Sequence, residues 1–197
     1  MLHIGLDVHS RMSSLCILDC HGKVVKRLEV KGHPSAVIQR LRRLEEPFAI
    51  CFEASTSYGW LYDELRPIAQ RVVVAHPGKL RLIFRSKRKN DRKDAERLAK
   101  LLDLDEVPEV HVPPAEVRAW RQAIEQRRRT VAERTRVKNR IRALLRTHGI
   151  QTARGGSLWT KKGRQWLAEL TFDGPFVAMQ RDELLLALRH QEETIRR

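Results

Sequence analysis

Short apolar runs separated by turns dominate the first third of the chain, and they predict β-strands. Three of these runs follow one another with links too short for a crossover, so we expect them to pair as an antiparallel meander. Two further apolar runs come later, each after a stretch with helical periodicity. The predicted strands cover residues 2–8, 13–19, 24–30, 48–54 and 72–76.

Apolar residues at helical spacing predict helices at 35–45, at 57–65 and from about Asp91 onward. The resulting order is three strands, a helix, a strand, a helix, a strand and a helix. This order is typical of a mixed sheet covered by helices. It resembles the ribonuclease H-like topology, which implies that the fourth strand lies beside the first. The predicted fold class is therefore α/β.

One long helix is predicted from Ala115 to about His148. Its apolar residues fall on a seam with a period near 3.5, which is typical of a coiled coil, and basic residues interrupt the middle of that seam. Trp120 lies on the seam and is expected to pack there. We therefore expect two regions, a sheet domain at 1–108 and an arginine-rich helical arm at 109–197.

Four acidic residues are placed where an ordinary core or surface does not require them. Asp7 lies within the first strand, Glu53 follows the apolar run of the fourth, and Asp91 and Asp94 open a helix. An acid at the end of an apolar strand is costly unless something pairs with it. Asp91 and Asp94 are about 60° apart around the helix, on the face that carries its leucines, so we expect them to point toward the protein.

Like charges brought this close raise each other's pKa or bind a cation. Mg²⁺ prefers oxygen ligands, and a pair of such ions can hold both oxygens of a phosphoryl displacement. The sequence thus predicts a catalytic Mg²⁺ site made of Asp7, Glu53, Asp91 and Asp94. The alternatives are helix capping for the last two, a solvated sheet position for Asp7 and a surface strand end for Glu53.

The formal net charge of +15 favours a polyanionic partner, with nucleic acid preferred over membrane. Ten arginines and one lysine between residues 118 and 146 face only two glutamates, and such an excess repels itself unless a polyanion lies on it. A second basic stretch surrounds the start of the helix at Asp91, where it could place a phosphate backbone over the metal or simply offset the acids. The predicted nucleic-acid contacts are Arg85, Lys87, Arg88, Lys89, Arg92, Lys93, Arg127, Arg128, Arg129, Arg134, Arg136, Lys138, Arg140, Arg142 and Arg146.

The three cysteines do not indicate a metal or a disulfide framework. Cys16, Cys20 and Cys51 form no CxxC pair, and no Cys/His spacing matches a zinc site. Reduced thiols are expected, with Cys16 and Cys51 in the core. The sequence shows neither a signal peptide nor an apolar run of about 18 residues, so a cytoplasmic protein with no membrane partner is expected.

The segments LDVHS, FEAS and NDRKDAERLAKLL together resemble the N-terminal domain of the DEDD transposases of bacterial insertion sequences, the family associated with bridge-RNA-guided recombinases. The DRKDA block is the most specific part of the match. The resemblance covers about the first half of the chain and assigns the family's acidic tetrad to Asp7, Glu53, Asp91 and Asp94. It implies a ribonuclease H-like (RuvC-like) fold followed by a coiled-coil arm.

The resemblance also implies a Mg²⁺ site like that of Holliday-junction resolvases, acting on element ends and target DNA. It implies a non-coding guide RNA and a homodimer or homotetramer. Family members carry a C-terminal domain whose serine attacks DNA, whereas this sequence stops at Arg197 without such a domain. We therefore expect the chain to be the N-terminal portion of such an enzyme.

Three functions remain open from the sequence alone. The first is a transposase or recombinase that cleaves and exchanges DNA strands. The second is a stand-alone nuclease that resolves four-way DNA junctions with the acidic tetrad and no serine chemistry. The third is an RNA- or DNA-binding module with a relic metal site.

Overall fold

The computed structural model describes residues 1–84, 91–152 and 157–197. Five strands pair into one mixed sheet in the order β3-β2-β1-β4-β5. The first three form an antiparallel meander, and β4 pairs in parallel with β1 and with β5. The strands are β1 Leu2–Val8, β2 Met12–Leu18, β3 Val24–Lys31, β4 Phe48–Glu53 and β5 Arg71–Ala75. The predicted α/β class and the pairing of the fourth strand with the first are confirmed, and the arrangement is consistent with a ribonuclease H-like fold.

Seven helices lie within the described ranges. They are α1 Ser35–Leu41, α2 Tyr58–Leu65, α3 Pro77–Ile83, α4 Asp91–Asp103, α5 Ala115–Thr147, α6 Lys161–Glu169 and α7 Pro175–Arg196. His76-Pro77-Gly78 was expected only to end β5, so α3 is a helix that the sequence did not predict. Proline is favoured at the first position of a helix, and the His76 side chain accepts hydrogen bonds from the Gly78 and Lys79 amides. The same three residues therefore end β5 and start α3.

The central strands of the sheet are buried on both faces, whereas the edge strand β3 is largely exposed. Leu2, Ile4 and Leu6 point to one face and pack in a core that includes the buried residues of α1 and α2. The alternate residues of the central strands point to the other face, where Cys51 packs with the leucines of α4. Burial on both faces explains the continuous apolar run of β4, as predicted.

Helix α4 lies against β1 with almost no side chain between the two backbones. A Cβ atom at Gly5 would lie 1.9 Å from the Ala95 carbonyl oxygen and 2.4 Å from the Ala99 amide nitrogen. At the other end of the contact, His3 Nδ1 lies 2.7 Å from Asp103 Oδ1. The helix therefore runs antiparallel to β1, and its first turn lies toward the carboxyl end of that strand.

The chain divides into two compact units, residues 1–115 and 116–197. The second unit has its own core, formed by Val137, Ile141, Leu145, Leu167 and Leu188. Within the described ranges, every helix is too short or too polar to span a lipid bilayer. In the first unit, Cys16 and Cys51 are buried as predicted, and burial raises the pKa of the Cys51 thiol to about 12.

The N-terminal half of α5 does not pack as predicted. Val117, Trp120 and Ile124 are exposed at 42%, 69% and 53%, so the expected burial of Trp120 in the seam is wrong for this chain. Arg127 of α5 donates a hydrogen bond to the Ile195 carbonyl oxygen in the last turn of α7. The seam is buried where α7 covers it, and a coiled-coil pairing of the remainder stays a prediction.

A bidentate ion pair stabilises the second unit. Arg164 donates two hydrogen bonds to Glu192, at 2.5 and 2.8 Å, and mainly for this reason the pKa of Glu192 lies below its ordinary value. The pair therefore stabilises the fold above the unfolded-state pKa of about 4.3. That contribution is lost as the pH falls through the lower folded-state pKa.

We expect Glu192→Gln to lower the free energy of unfolding at pH 7 by about 1 kcal/mol, a modest figure because Arg164 is partly exposed to solvent. The difference from the unmodified chain should shrink as the pH falls below about 4. Urea unfolding followed by tryptophan fluorescence measures both effects. Glu193→Gln, one residue along on the exposed side of α7, is the control, and equal stabilities of the two variants at pH 7 would count against the pair.

Candidate active site

Asp7 and Glu53 lie side by side at the carboxyl ends of two neighbouring parallel strands. The β1–β4 register pairs Leu6 with Phe52, so the next residue on each strand is one of the two acids. Side chains alternate along a strand, and Gly5, two residues before Asp7, faces α4. Cys51, two residues before Glu53, faces α4 as well. Both acids therefore share the α4 face, on strands about 4.8 Å apart.

Asp94 lies level with Asp7 on the helix that covers this face. His3 meets Asp103 at one end of the contact, and Asp7 is about 13 Å from His3 along the strand at 3.3 Å per residue. Asp94 is likewise about 13 Å from Asp103 along the helix at 1.5 Å per residue. The Asp94 side chain is 30% exposed, as expected for an acid that points partly toward the protein.

Asp91 begins α4, one turn before Asp94, and its side chain lies outside the described residues. The backbone therefore brings all four predicted acids to one end of one sheet face. Among the side chains that the structure describes, however, no three His, Cys, Asp or Glu groups come close enough together to hold a metal ion. The described acids lie at the same end of the sheet, but they do not form a complete set of metal ligands.

Basic neighbours contact two of these carboxylates. His9 Nε2 lies 3.1 Å from Asp7 Oδ2, and Arg97 donates to Asp94 Oδ1 at 3.1 Å. The Asp7 side chain is only 13% exposed, and a carboxylate buried to this extent needs a compensating cation or hydrogen bonds. Carboxylate oxygens are the ligands that Mg²⁺ prefers, so the chemistry of the donor set fits such an ion.

Two further polar residues share this face, and the sequence analysis did not single them out. Asp7 pairs with Ser14 across β1 and β2, and Ser14 pairs with Glu29 across β2 and β3. Glu29, Ser14, Asp7 and Glu53 thus form one polar row across four adjacent strands. The signal in the sequence is weak, because Ser13 and Ser14 are simply two polar residues inside an apolar strand.

The basic residues predicted near the acids are only partly described. Arg85, Lys87, Arg88 and Lys89 lie outside the described residues, as does the side chain of Arg92. Lys93, in the first turn of α4, is exposed. Their contacts with nucleic acid therefore remain predictions.

Part of the positive charge of α5 is compensated within the helix itself. Arg129 pairs with Glu125 at 3.2 Å. Arg136 and Arg140 pair with Glu133 at 3.0 and 3.8 Å. These pairs lie at the surface, where each stabilises the fold by about 0–1 kcal/mol, so a phosphate could displace them at low cost.

A second group of cations in α5 faces the protein. Lys138 and Arg142 lie over the Trp159 ring, at 4.9 and 5.3 Å from its centroid. Burial is the main cause that lowers the pKa of Lys138, with Arg134 the next contributor. Arg134 is itself half-buried. These residues have a structural role whether or not they also contact nucleic acid.

The remaining predicted cations of α5 are the best placed to meet phosphate. Arg128 and Arg146 are exposed and make no ion pair within the part of the chain that the structure describes. Arg127 is also exposed, although one of its N–H groups is engaged by Ile195. Exposed guanidinium groups that are not held in an ion pair can form bidentate contacts with phosphate oxygens.

Comparison with known proteins assigns the family. Residues 4–150 match the IS110-type DEDD family, whose description is transposase. The y4qE protein of Sinorhizobium fredii, named as a transposase, is 26% identical over 178 residues, which cover 87% of this chain and 45% of the relative. The transposase for insertion sequence element IS1533 of Leptospira borgpetersenii is 22% identical over 200 residues, which cover 99% of this chain and 58% of the relative. The chain spans about half the length of these curated relatives, and it belongs to the IS110-type DEDD transposase family.

Proposed function

We propose that this chain carries the metal-dependent nuclease site of a DNA transposase or recombinase and cleaves DNA strands during transposition. The observation that carries the proposal is the convergence of Asp7, Glu53 and the first turn of α4 at one end of one sheet face. Because the relatives are about twice as long, we further propose that this chain is the N-terminal part of such an enzyme. Strand exchange then requires the rest of the protein.

Asp7, Glu53, Asp91 and Asp94 are the residues that would hold Mg²⁺. A bound Mg²⁺ supplies Lewis-acid stabilisation of the phosphoryl oxygens and lowers the pKa of bound water. The chain's own residues orient the acids: β1 and β4 fix Asp7 and Glu53, and Arg97 holds Asp94 at 3.1 Å. The close packing of α4 on Gly5 sets how far the acids of α4 lie from the sheet.

The basic residues would hold the nucleic acid. Cations at 85–93 border the start of α4, where they can direct a phosphate backbone toward the acids. The arginines of α5 form a second, longer basic surface, which suits the backbone of DNA or of a non-coding guide RNA. The exposed apolar residues Val117, Trp120 and Ile124 support a homodimer or homotetramer, because isolated chains rarely expose such a stripe.

Replacing both Arg128 and Arg146 with glutamine should weaken binding of DNA and RNA about equally across sequences. For duplex DNA, each lost phosphate contact should reduce the slope of log K against log salt by about 0.9. Fluorescence anisotropy at several salt concentrations measures this slope. Arg43→Gln, an exposed arginine next to α1, is the control, and an unchanged slope in the double variant would exclude Arg128 and Arg146 from the interface.

Incubation of the chain with labelled four-way and linear DNA, in Mg²⁺ and in EDTA, tests the proposed function. We expect cleavage that depends on Mg²⁺. Nucleic-acid binding that is the same with and without Mg²⁺, combined with no Mg²⁺ binding to the chain, would contradict the proposal. The chain would then be a nucleic-acid-binding module.

A further inference from the structure

The side chain of Ser14 is buried without a partner directly beside the first of the four acids. Ser14 is 2% exposed, and its Oγ has no hydrogen-bond partner in the described part of the chain. Burial of an unsatisfied hydroxyl is unfavourable, so each such group in a folded protein calls for an explanation. The position of Ser14 in the sheet indicates what that role is.

Ser14 is the cross-strand neighbour of Asp7. The two residues are paired in the antiparallel β1–β2 register, and both point to the α4 face, as does Cys16, which packs with Ala95 and Ala99. Cβ atoms of directly opposed residues are about 4.5–5.5 Å apart, so a rotation about χ1 brings the serine hydroxyl within reach of the carboxylate. A cavity of about 250 Å³ adjoins Ser14 on its β3 side, with Arg27 and Glu29 among its lining residues.

We propose that Ser14 is a positioning residue of the metal site, whose hydroxyl donates a hydrogen bond to the Asp7 carboxylate and orients it toward the cation. The inference rests on the proposed function, since it requires Asp7 to be a metal ligand. A carboxylate offers about four acceptor positions on two oxygens, so Asp7 can accept from Ser14, contact His9 and still bind an ion. Carboxylates that bind metals are themselves commonly hydrogen-bonded, and losing such a partner typically costs 10- to 100-fold in metal affinity.

The neighbouring Ser13 provides a matched control. Ser13 is 1% exposed, and its Oγ also has no hydrogen-bond partner in the described part of the chain. Because side chains alternate along β2, Ser13 points to the opposite face of the sheet, where it pairs with Val8 and Val30. The two serines thus share residue type, strand, burial and lack of a partner, and differ in the face of the sheet to which they point.

The test is Mn²⁺ binding to the 197-residue chain, followed by electron paramagnetic resonance of the free ion, with Mg²⁺ as competitor. Ser14→Ala is expected to weaken Mn²⁺ binding about 10-fold or more, whereas Ser13→Ala should bind as the unmodified chain does. Ser14→Thr retains the hydroxyl and should recover most of the affinity. Urea midpoints at or above that of the unmodified chain show that the alanine variants are folded, because each loses an unsatisfied buried group.

The outcomes separate this inference from the proposed function. If the unmodified chain binds Mn²⁺, Asp7→Asn abolishes that binding and Ser14→Ala leaves it unchanged, only the role of Ser14 is overturned. An equal loss in Ser13→Ala and Ser14→Ala also overturns it, because the effect would belong to the strand and not to the position beside Asp7. If the unmodified chain does not bind Mn²⁺, both the inference and the proposed metal site are overturned.

Discussion

Asp7→Asn is expected to abolish metal-dependent DNA cleavage and to leave the fold intact. Asparagine has nearly the same size and can still form hydrogen bonds, but it lacks the charge that a divalent cation requires. Asp7 is the most buried of the described acids at the site, with 13% of its side chain exposed, and it lies beside Glu53 and level with Asp94. We expect the cleavage rate to fall about 1,000-fold or more, which corresponds to about 4 kcal/mol of lost transition-state stabilisation.

Single-turnover cleavage of a four-way DNA junction in Mg²⁺ measures this loss. Asp105→Asn is the matched control, because Asp105 pairs with Arg71 at the surface and has a φ of 56°. Asparagine tolerates that left-handed conformation well, so the control should remain stable and active. Cleavage by Asp7→Asn at the rate of the control would mean that Asp7 is not a metal ligand.

Gly5→Ala is expected to have the largest effect on stability. The added Cβ would lie 1.9 Å from the Ala95 carbonyl oxygen and 2.4 Å from the Ala99 amide nitrogen, and both atoms belong to the backbone of α4. A side-chain rotation cannot relieve this clash, because both clashing atoms of α4 belong to the backbone. Helix α4 must therefore move away from the sheet. We expect a loss of about 3 kcal/mol or more in the free energy of unfolding, the upper range for overpacking.

Displacement of α4 should also remove cleavage, because the helix carries Asp91 and Asp94. Gly174→Ala is the control, since a Cβ at that glycine meets nothing within 4 Å and its φ of −150° suits any residue. Urea unfolding and the cleavage assay together report the outcome. A Gly5→Ala protein with unchanged stability and activity would show that the close packing of α4 on β1 is not required.

The sheet could be predicted from the sequence because its determinants are local. The short links between the first three strands permit only antiparallel pairing, and the apolar run of β4 requires a strand covered on both faces. Helix α3 was missed because the Pro77-Gly78 pair looks like a turn, and the helix depends on a cap from the His76 side chain. A cap of this kind has no periodic signal in the sequence.

The sequence predicted which strands and which helix carry the four acids, but not the contacts that these acids make. Parallel pairing of β1 and β4 brings Asp7 and Glu53 together, and the resemblance of the element order to the ribonuclease H-like topology implied this pairing. The residues that contact or adjoin the acids could not be predicted from the sequence. Their positions depend on the exact strand register and on where α4 lies along the sheet. The position of Ser14 beside Asp7 is known only from the register of β1 and β2. The contact of Arg97 with Asp94 is likewise known only from the structure of α4.

The helical arm shows the limit of periodicity as a predictor. A period near 3.5 correctly identified one long helix, but it could not show which part of the seam is covered. Trp120 is exposed in the N-terminal half of the helix, whereas the seam residues that pack with α6 and α7 are buried. Similarly, the net charge of α5 was evident from the sequence, whereas the engagement of Lys138 and Arg142 by Trp159 required the tertiary structure.

A crystal structure of the chain soaked in Mn²⁺, with anomalous diffraction to locate the ion, is the most direct test of the four-acid site. If the four-acid site is correct, an anomalous peak lies at about 2.0–2.3 Å from carboxylate oxygens of both Asp7 and Glu53, with Asp91 or Asp94 completing the ligands. The peak should be absent from the Asp7→Asn variant grown in the same crystal form. A Mn²⁺ peak elsewhere, or one at these acids that persists without the Asp7 carboxylate, would contradict the four-acid site.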